Sequence, residues 1–214
     1  VMGVTQAAGL SLRWFRDNLA EGYKDKAVRL GCDSYDLINQ DVEKVPIGSR
    51  RLIYLPYLMG ERTPHLNPNC RGVFFGLSAI HTKADMLRAV MEGVSYSLLD
   101  CFDILREMKV NVKEMMACGG GGKSRVWRQM LADMYGCEVK TIKAQEGPAL
   151  GVAILAGVGA GIFPDVQTAC KEFIEQDTWC QPDAAAHAYY EKGHALYQKL
   201  YQKLKDCYED LAAL

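Results

Sequence analysis

Residues 117–124, with the sequence ACGGGGKS, are the part of the chain whose residue types most directly suggest chemistry. They fit the loose Walker A pattern, in which a small residue and four more residues precede Gly-Lys-Ser. Glycine lets a backbone approach a ligand closely, and a helix that begins at Ser124 would present free N–H groups to an anion. The segment therefore predicts a nucleotide-binding loop, with a tight turn that binds nothing as the alternative.

Two known nucleotide motifs fit this segment poorly. A Walker A loop is supported by a later apolar strand that ends in Asp, whereas the strand expected at 137–142, CEVKTI, has no Asp. A dinucleotide-binding fingerprint needs a third glycine where this chain has Arg125. Four consecutive glycines are costly in chain entropy for a turn alone. The context favours a nucleotide site of another fold, and it leaves a true phosphate loop and a structural turn as alternatives.

The pattern of apolar residues predicts strands that alternate with helices. Helices are expected over residues 9–20, 33–43, 82–108, 124–135, 146–161, 165–176 and 183–208, and strands over 51–55, 73–77, 111–118 and 137–142. Ser124 and Gly136 provide an N-cap and a C-terminal stop for the helix after the glycines. The helix over 146–161 is apolar on all sides, which predicts that it is buried. The alternation indicates an α/β or α+β fold, and no linker is visible, so we expect a single domain over residues 1–214.

The long loop at residues 56–72 is a second candidate for function, because ordered loops of this length are often functional. Its polar residues Glu61, Arg62, Thr63 and His65 could face a cleft, although an internally hydrogen-bonded loop is the favoured interpretation. Structural roles are expected for several other residues, namely Trp14 in the core, Glu146 at a helix start, and His81, His187 and His194 at the surface.

Composition excludes several classes of partner. The formal net charge is -1 and no basic stripe is present, which argues against binding to nucleic acid or to an anionic membrane surface. No apolar run reaches the roughly 18 residues of a membrane span. The eight cysteines include no CxxC pair, which favours a reduced, cytoplasmic setting. The chain begins Val-Met-Gly, which suggests a start inside a longer protein.

Several of these stretches, taken together, resemble one family. The run GVFFGLSAIHTKADMLRAVMEG (72–93) is similar to the second signature of the FGGY carbohydrate kinases. The matching positions are Gly72, Phe74, Gly76, Leu77, Asp85, Met86, Ala89, Val90, Met91 and Glu92. Residues 60–72, 119–136 and 146–161 resemble the xylulokinase branch, and the stretches occur in family order. This match is far more specific than the short Walker A pattern.

The resemblance implies a two-lobed kinase with the actin-like ATPase (ribonuclease H-like) fold, an α/β fold with a mixed sheet flanked by helices. ATP with Mg²⁺ would lie between the lobes, and this chain looks like the C-terminal, nucleotide-binding lobe. The catalytic aspartate of the family lies in a Gly-Gly-Asp motif of the first half, and that motif is absent here. The implied partners are the sugar, ATP and the missing N-terminal lobe, with a homodimer as a candidate assembly.

The resemblance also implies roles for individual residues. Gly120, Gly121 and Gly122 would line the adenine and ribose, and Gly9 would lie near the ATP phosphates. Two positions depart from glycerol kinases: Arg13 replaces a Gln, and Arg125 replaces an Asn that reaches the adenine. Lys123 occupies a variable position. The candidate cofactor-binding residues are therefore Gly9, Arg13, Gly120, Gly121, Gly122, Ser124 and Arg125, with no catalytic residue and no metal ligand in this chain.

The activity that the resemblance implies for the intact protein is phosphorylation of D-xylulose to D-xylulose 5-phosphate, and the lobe alone is expected to be inactive. Other FGGY substrates, such as glycerol, gluconate or ribulose, are alternatives, because substrate choice depends largely on the first lobe. A stand-alone, non-catalytic nucleotide-binding lobe is an alternative of a different class.

Overall fold

The computed structural model describes residues 2–143 and 147–214. Its helices are α1 (Ala8–Leu19), α2 (Gly22–Leu30), α3 (Ser34–Glu43), α4 (Lys83–Glu107), α5 (Gly119–Lys123), α6 (Arg125–Tyr135), α7 (Gly147–Gly159), α8 (Val166–Phe173) and α9 (Ala184–Ala212). Its strands are β1 (Ile53–Leu55), β2 (Val73–Phe75), β3 (Glu114–Met116), β4 (Glu138–Ile142) and β5 (Gln176–Cys180). The sequence pattern did not predict α2, α5 or β5. Within these ranges, no helix is both long enough and apolar enough to cross a membrane.

The strands form two small sheets. β3 and β4 run parallel and β5 pairs antiparallel with β4, so the three-stranded sheet is mixed and has the order β3–β4–β5. β1 and β2 form a separate antiparallel pair. Helix α6 packs against β4 and β5. The predicted α/β architecture, a mixed sheet flanked by helices, is confirmed.

Helix α4 is the central element, and it contacts α1, α3, α6, α9 and β1. A capping box starts it: the Thr82 hydroxyl accepts from the Asp85 N–H, and the Asp85 carboxylate accepts from the Thr82 N–H at 2.8 Å. Leu87, Val90 and Val94, which are three and four residues apart on α4, are buried. At Gly93 the helix lies so close to β1 that a Cβ would come within 2.1 Å of the Tyr54 carbonyl oxygen.

Two apolar clusters form the core. One joins α1, α2 and α3 to α4 and includes Phe15 and Ile38, and the other surrounds α9 and includes Tyr190 and Tyr197. Leu98 and Leu131 pack against both clusters. The face of α9 that carries Tyr190 and Tyr197 is therefore buried.

A buried ionic network fixes the start of β1 to α4 and α9. The Glu92 carboxylate accepts from Arg88 Nε at 2.8 Å, from the Tyr190 hydroxyl at 2.9 Å, from the Ser49 hydroxyl at 2.8 Å and from the Gly48 N–H at 3.0 Å. These bonds hold the left-handed turn Gly48–Arg51, in which four successive residues have positive φ. Left-handed backbone is unfavourable for residues other than glycine, so the turn depends on this network.

The prediction that the helix over 146–161 is buried on all sides is wrong. Val152 is 67% exposed and Leu155 is 61% exposed, whereas Ile154 is buried. Among the described residues, α7 packs mainly against α8, and one neighbour can cover only one face of a helix. Glu146, expected to have a structural role at the helix start, lies outside the described residues.

Candidate nucleotide site

The four glycines form a short helix rather than an open loop. After β3 the chain turns at Gly119, whose φ is 73°, and α5 covers Gly119–Lys123. Gly122 has no room for a side chain, because a Cβ would lie 2.7 Å from the Ala117 carbonyl oxygen. The glycines therefore do not wrap around a space in the way that a Walker A loop wraps around a phosphate.

Ser124 separates α5 from α6 and fixes both to α3. Its backbone is extended, and its hydroxyl accepts from the Trp127 N–H at 3.2 Å, which makes it the predicted N-cap. The same hydroxyl donates to Asn39 Oδ1 at 2.8 Å. Gly136 ends α6 in the left-handed conformation, as predicted. These bonds set the position of the glycine turn relative to α3.

The side chains of Trp127 and Arg128 hold the glycine turn in place through hydrogen bonds. The indole of Trp127 donates to the Ser95 hydroxyl on α4 at 2.9 Å. The buried guanidinium of Arg128 donates through Nη1 to the Gly122 carbonyl. Because both supporting residues are almost fully buried, the turn is held by the core and not by solvent-exposed contacts.

A cavity of about 420 Å³ lies between α1, α3 and the glycine turn. It brings together four of the predicted site residues, Gly9, Gly120, Gly121 and Ser124. The remaining lining residues are Leu12, Asp33, Tyr35, Asp36, Asn39, Lys123 and Trp127. The sequence did not single out the α3 residues of this wall, because α3 reaches the cavity only through tertiary packing.

The glycines make the walls of this cavity flat. A Cβ at Gly9 or at Gly120 would meet no described atom within 4 Å, so the space in front of both backbones is open. A Cβ at Gly121 would touch the ring of Trp127 at 3.5 Å, which is an ordinary contact. Flat backbone beside an indole and a tyrosine ring suits a planar heterocycle, because such surfaces stack without steric conflict.

The charged groups of the cavity are unevenly distributed. Asp33 and Asp36 line the α3 side, and Lys123 lines the side of the glycine turn. Carboxylates repel phosphates and accept hydrogen bonds from hydroxyl and amino groups. The α3 side is therefore suited to the amino and hydroxyl groups of a nucleoside.

The other three predicted site residues do not line this cavity. The side chains of Arg13 and Arg125 are exposed, do not line the cavity, and make no hydrogen bond or ion pair within the described ranges. Gly122 is buried and lines two neighbouring cavities of about 390 and 430 Å³, and the second of these is also lined by Gly9, Gly120 and Gly121. The cavity of about 420 Å³ thus brings together four of the seven predicted residues, and the cavity of about 430 Å³ joins Gly122 to three of them.

The long loop at 56–72 is hydrogen-bonded internally and to the N-terminal segment, in agreement with the favoured interpretation. The buried Glu61 carboxylate accepts from the Thr5 hydroxyl at 3.0 Å, the Gln6 N–H at 2.9 Å and the Ser97 hydroxyl at 3.1 Å. The His65 ring stacks on Tyr201, and burial lowers the pKa of this histidine. Glu61 therefore positions the loop and does not face the cavity.

Two structural expectations for side chains were wrong. Trp14, expected in the core, is 37% exposed because it lies on the outer side of α1. His194, expected at the surface, is buried, and its Nε2 lies 2.8 Å from Asp100 Oδ1. A carboxylate on α4 that hydrogen-bonds to an imidazole on α9 cannot be recognised from local sequence.

Metal ligands are not clustered in the part of the chain that the structure describes. Within residues 2–143 and 147–214, no group of three or more His, Cys, Asp or Glu side chains could hold a metal ion.

Comparisons with known proteins identify the family of this chain. The model of the FGGY family of carbohydrate kinases, C-terminal domain, matches residues 1–160. A xylulose kinase of Staphylococcus epidermidis is 38% identical over 213 residues, which are 100% of this chain and 41% of the relative. A gluconokinase of Bacillus subtilis is 42% identical over 160 residues, which are 74% of this chain and 31% of the relative.

The solved structures agree with this assignment. The crystal structure of ligand-bound xylulose kinase from Lactobacillus acidophilus superposes with a TM-score of 0.83 at 30% identity, over 97% of this chain and 40% of that one. The chain spans about 41% of the length of the xylulose kinase that matches it throughout, and it corresponds to the C-terminal part of these kinases. The chain belongs to the FGGY family of carbohydrate kinases, as a C-terminal lobe with the actin-like ATPase fold.

Proposed function

We propose that residues 1–214 form the nucleotide-binding lobe of an ATP-dependent xylulokinase. The intact protein would transfer the γ-phosphoryl group of ATP to the primary hydroxyl of D-xylulose and release D-xylulose 5-phosphate. The observation that carries this proposal is the cavity of about 420 Å³ at which Gly9, Gly120, Gly121 and Ser124 meet. The similarity to xylulose kinases along the whole chain supports the choice of sugar.

The cavity would hold the adenosine part of ATP. The open space in front of Gly120 and the Trp127 ring accept a planar base, and Asp36 and Asn39 offer acceptors for its amino group or for ribose hydroxyls. The phosphates would extend away from the α3 carboxylates, toward Gly9 and the preceding lobe. Arg13 and Arg125 would contact the nucleotide only after a rearrangement.

The reaction would need groups from outside this chain. Mg²⁺ binds phosphate oxygens and keeps several waters, so the metal would arrive with ATP and neutralise charge on its phosphates. An aspartate of the preceding lobe would accept the proton of the sugar hydroxyl. The contribution of this lobe would be to hold the nucleotide in place and to exclude water when the lobes close.

ATP binding to the 214-residue chain tests the site, with calorimetry as the measurement. Gly120→Val should weaken ATP binding by about tenfold or more, because its side chain would begin in the open space of the cavity, where a Cβ meets no described atom within 4 Å. Lys123→Ala should change affinity by less than about threefold. The opposite ranking would identify Lys123 as a phosphate-binding lysine and would favour a true phosphate loop.

A gluconate kinase is the second candidate. The gluconokinase of Bacillus subtilis has the higher identity, 42%, although it matches only 74% of this chain. Glycerol and ribulose kinases, and a stand-alone nucleotide-binding lobe, are the further alternatives. Activity of the intact protein on each substrate separates them.

The remaining expectations concern assembly and location. A single domain over 1–214 is supported by Leu98 and Leu131, which pack against both core clusters. The cytoplasmic location and the homodimer stay predictions. Cell fractionation tests the first, and light scattering of the purified intact protein tests the second.

A further inference from the structure

A groove of about 230 Å³ lies between helix α9 and the left-handed turn Gly48–Arg51. Leu52, Leu196 and the rings of Tyr96 and Tyr189 form its apolar walls, and we call it the α9 groove. None of its lining residues lines the candidate nucleotide cavity. It is therefore a separate cavity on the lobe.

Four polar groups at the α9 groove lack protein partners. The side chains of Arg51 and Lys192 are exposed at its rim, and neither forms a hydrogen bond or an ion pair with another described residue. The same ranges contain no hydrogen-bond partner for the hydroxyls of Tyr96 and Tyr189. Glu92, at the base of the groove, already accepts four hydrogen bonds and is paired with Arg88. The groove thus carries two uncompensated positive charges and two free hydroxyls.

The backbone that presents Arg51 is strained. Ser49, Arg50 and Arg51 have φ values of 49°, 54° and 73°, so three successive residues other than glycine are left-handed. Strain of this kind persists only where the surrounding structure enforces it, and it is concentrated at functional sites. Glu92 enforces it here through the Gly48 N–H and the Ser49 hydroxyl. The strained turn places the Arg51 side chain at the rim of the groove.

Two glycines set the positions of the tyrosine hydroxyls. A Cβ at Gly193 would lie 2.1 Å from the Tyr96 hydroxyl oxygen, and a Cβ at Gly48 would lie 2.1 Å from that of Tyr189. Both rings therefore lie directly against backbone, and this contact fixes the shape of the α9 groove.

We propose that the α9 groove binds a small organic anion with an apolar body and a carboxylate or phosphate head. The body would pack against Leu52, Leu196 and the tyrosine rings, which removes apolar surface from water. The head would accept charge-assisted hydrogen bonds from Arg51 and Lys192, with the tyrosine hydroxyls as additional donors. This proposal does not rest on the proposed kinase activity.

Phenyl phosphate is the probe, because it combines a planar apolar body with a dianionic head. It is titrated into the isotope-labelled 214-residue chain with ATP present in excess, and binding is followed by NMR shifts. We expect saturable shifts in residues of the α9 groove. The double variant Arg51→Gln/Lys192→Gln should bind phenyl phosphate about tenfold more weakly, because two favourable charge interactions are lost.

Two controls separate a site from general attraction. Lys203→Gln removes one charge from an exposed position of the same helix, outside the groove, and should leave affinity unchanged. Phenol, which has the ring without the charged head, should bind more weakly than phenyl phosphate. The proposal is overturned if the shifts do not saturate, if they lie outside the groove, if phenol binds equally well, or if Lys203→Gln weakens the probe as much as the double variant does.

Discussion

The close approach of α4 to β1 at Gly93 leads to a sharp prediction about stability. A Cβ at this position would lie 2.1 Å from the Tyr54 carbonyl oxygen, well inside the 3.0 Å that such contacts keep. The obstacle is backbone of β1, which is paired with β2, so it cannot rotate away as a flexible side chain could. Gly93→Ala must therefore displace the helix or the strand.

The size of the effect follows from two opposing contributions. Alanine is about 1 kcal/mol more favourable than glycine inside a helix. An extra methyl group in a well-packed core lowers the free energy of unfolding by about 1–3 kcal/mol. The upper end of this range applies here, because backbone atoms have to move. We expect Gly93→Ala to lower the free energy of unfolding by about 2 kcal/mol, equivalent to a decrease in Tm of about 4–8 °C for a chain of this size.

Urea unfolding of the 214-residue chain, followed by circular dichroism, measures this difference. The matched control is Gly151→Ala in α7, another glycine in a helix interior, where a Cβ meets no described atom within 4 Å. The free energy of unfolding of this control should rise by up to about 1 kcal/mol, from helix propensity alone. If Gly93→Ala were as stable as the wild type, the close packing of α4 on β1 would be refuted.

Two further predictions concern the turn before β1 and the start of α4. Arg51→Gly should be about 1 kcal/mol more stable than Arg51→Ala, because only glycine relieves a φ of 73°; equal unfolding free energies would contradict a strained turn. Burial raises the pKa of Asp85, but hydrogen bonds from Thr82 and the ion pair with Arg50 outweigh it, so the pKa lies below its ordinary value. The carboxylate therefore stabilises the fold above the unfolded-state pKa of about 3.9, and this contribution is lost as pH falls through the lower folded-state value. Asp85→Asn should lower the free energy of unfolding by about 1 kcal/mol at pH 7, as measured by urea titration. This difference between variant and wild type should become smaller toward pH 3. A difference that does not change with pH would contradict the lowered pKa of Asp85.

Local signals in the sequence were sufficient to predict most of the helices. Ser124 and Gly136 act as the predicted cap and stop of α6, and both features depend only on neighbouring residues. The family match also identified four glycine and serine positions that meet at the cavity. These parts of the site lie on two short segments with distinctive residue types.

Features that depend on distant residues were not predictable. The wall of the cavity formed by α3, with Asp36 and Asn39, has no motif of its own. His194 is buried only because Asp100 faces it from another helix. The apolar composition of a helix likewise does not show which elements pack against it. For this reason α7 was expected to be buried, although its outer face is exposed.

The left-handed turn Gly48–Arg51 is a further example. Serine and arginine residues give no local signal for positive φ, and the conformation is imposed by Glu92, which lies more than forty residues further along the chain. Such strain becomes visible only when the tertiary hydrogen bonds are known.

The release of ADP by the intact protein tests the central claim most directly. The substrates are D-xylulose, gluconate, glycerol and ribulose, with the 214-residue lobe assayed in parallel. We predict that D-xylulose gives the highest kcat/KM and that the lobe alone gives no turnover. Preference for another substrate would contradict the xylulokinase assignment, and turnover by the lobe alone would contradict its role as the nucleotide-binding half of a two-lobed kinase.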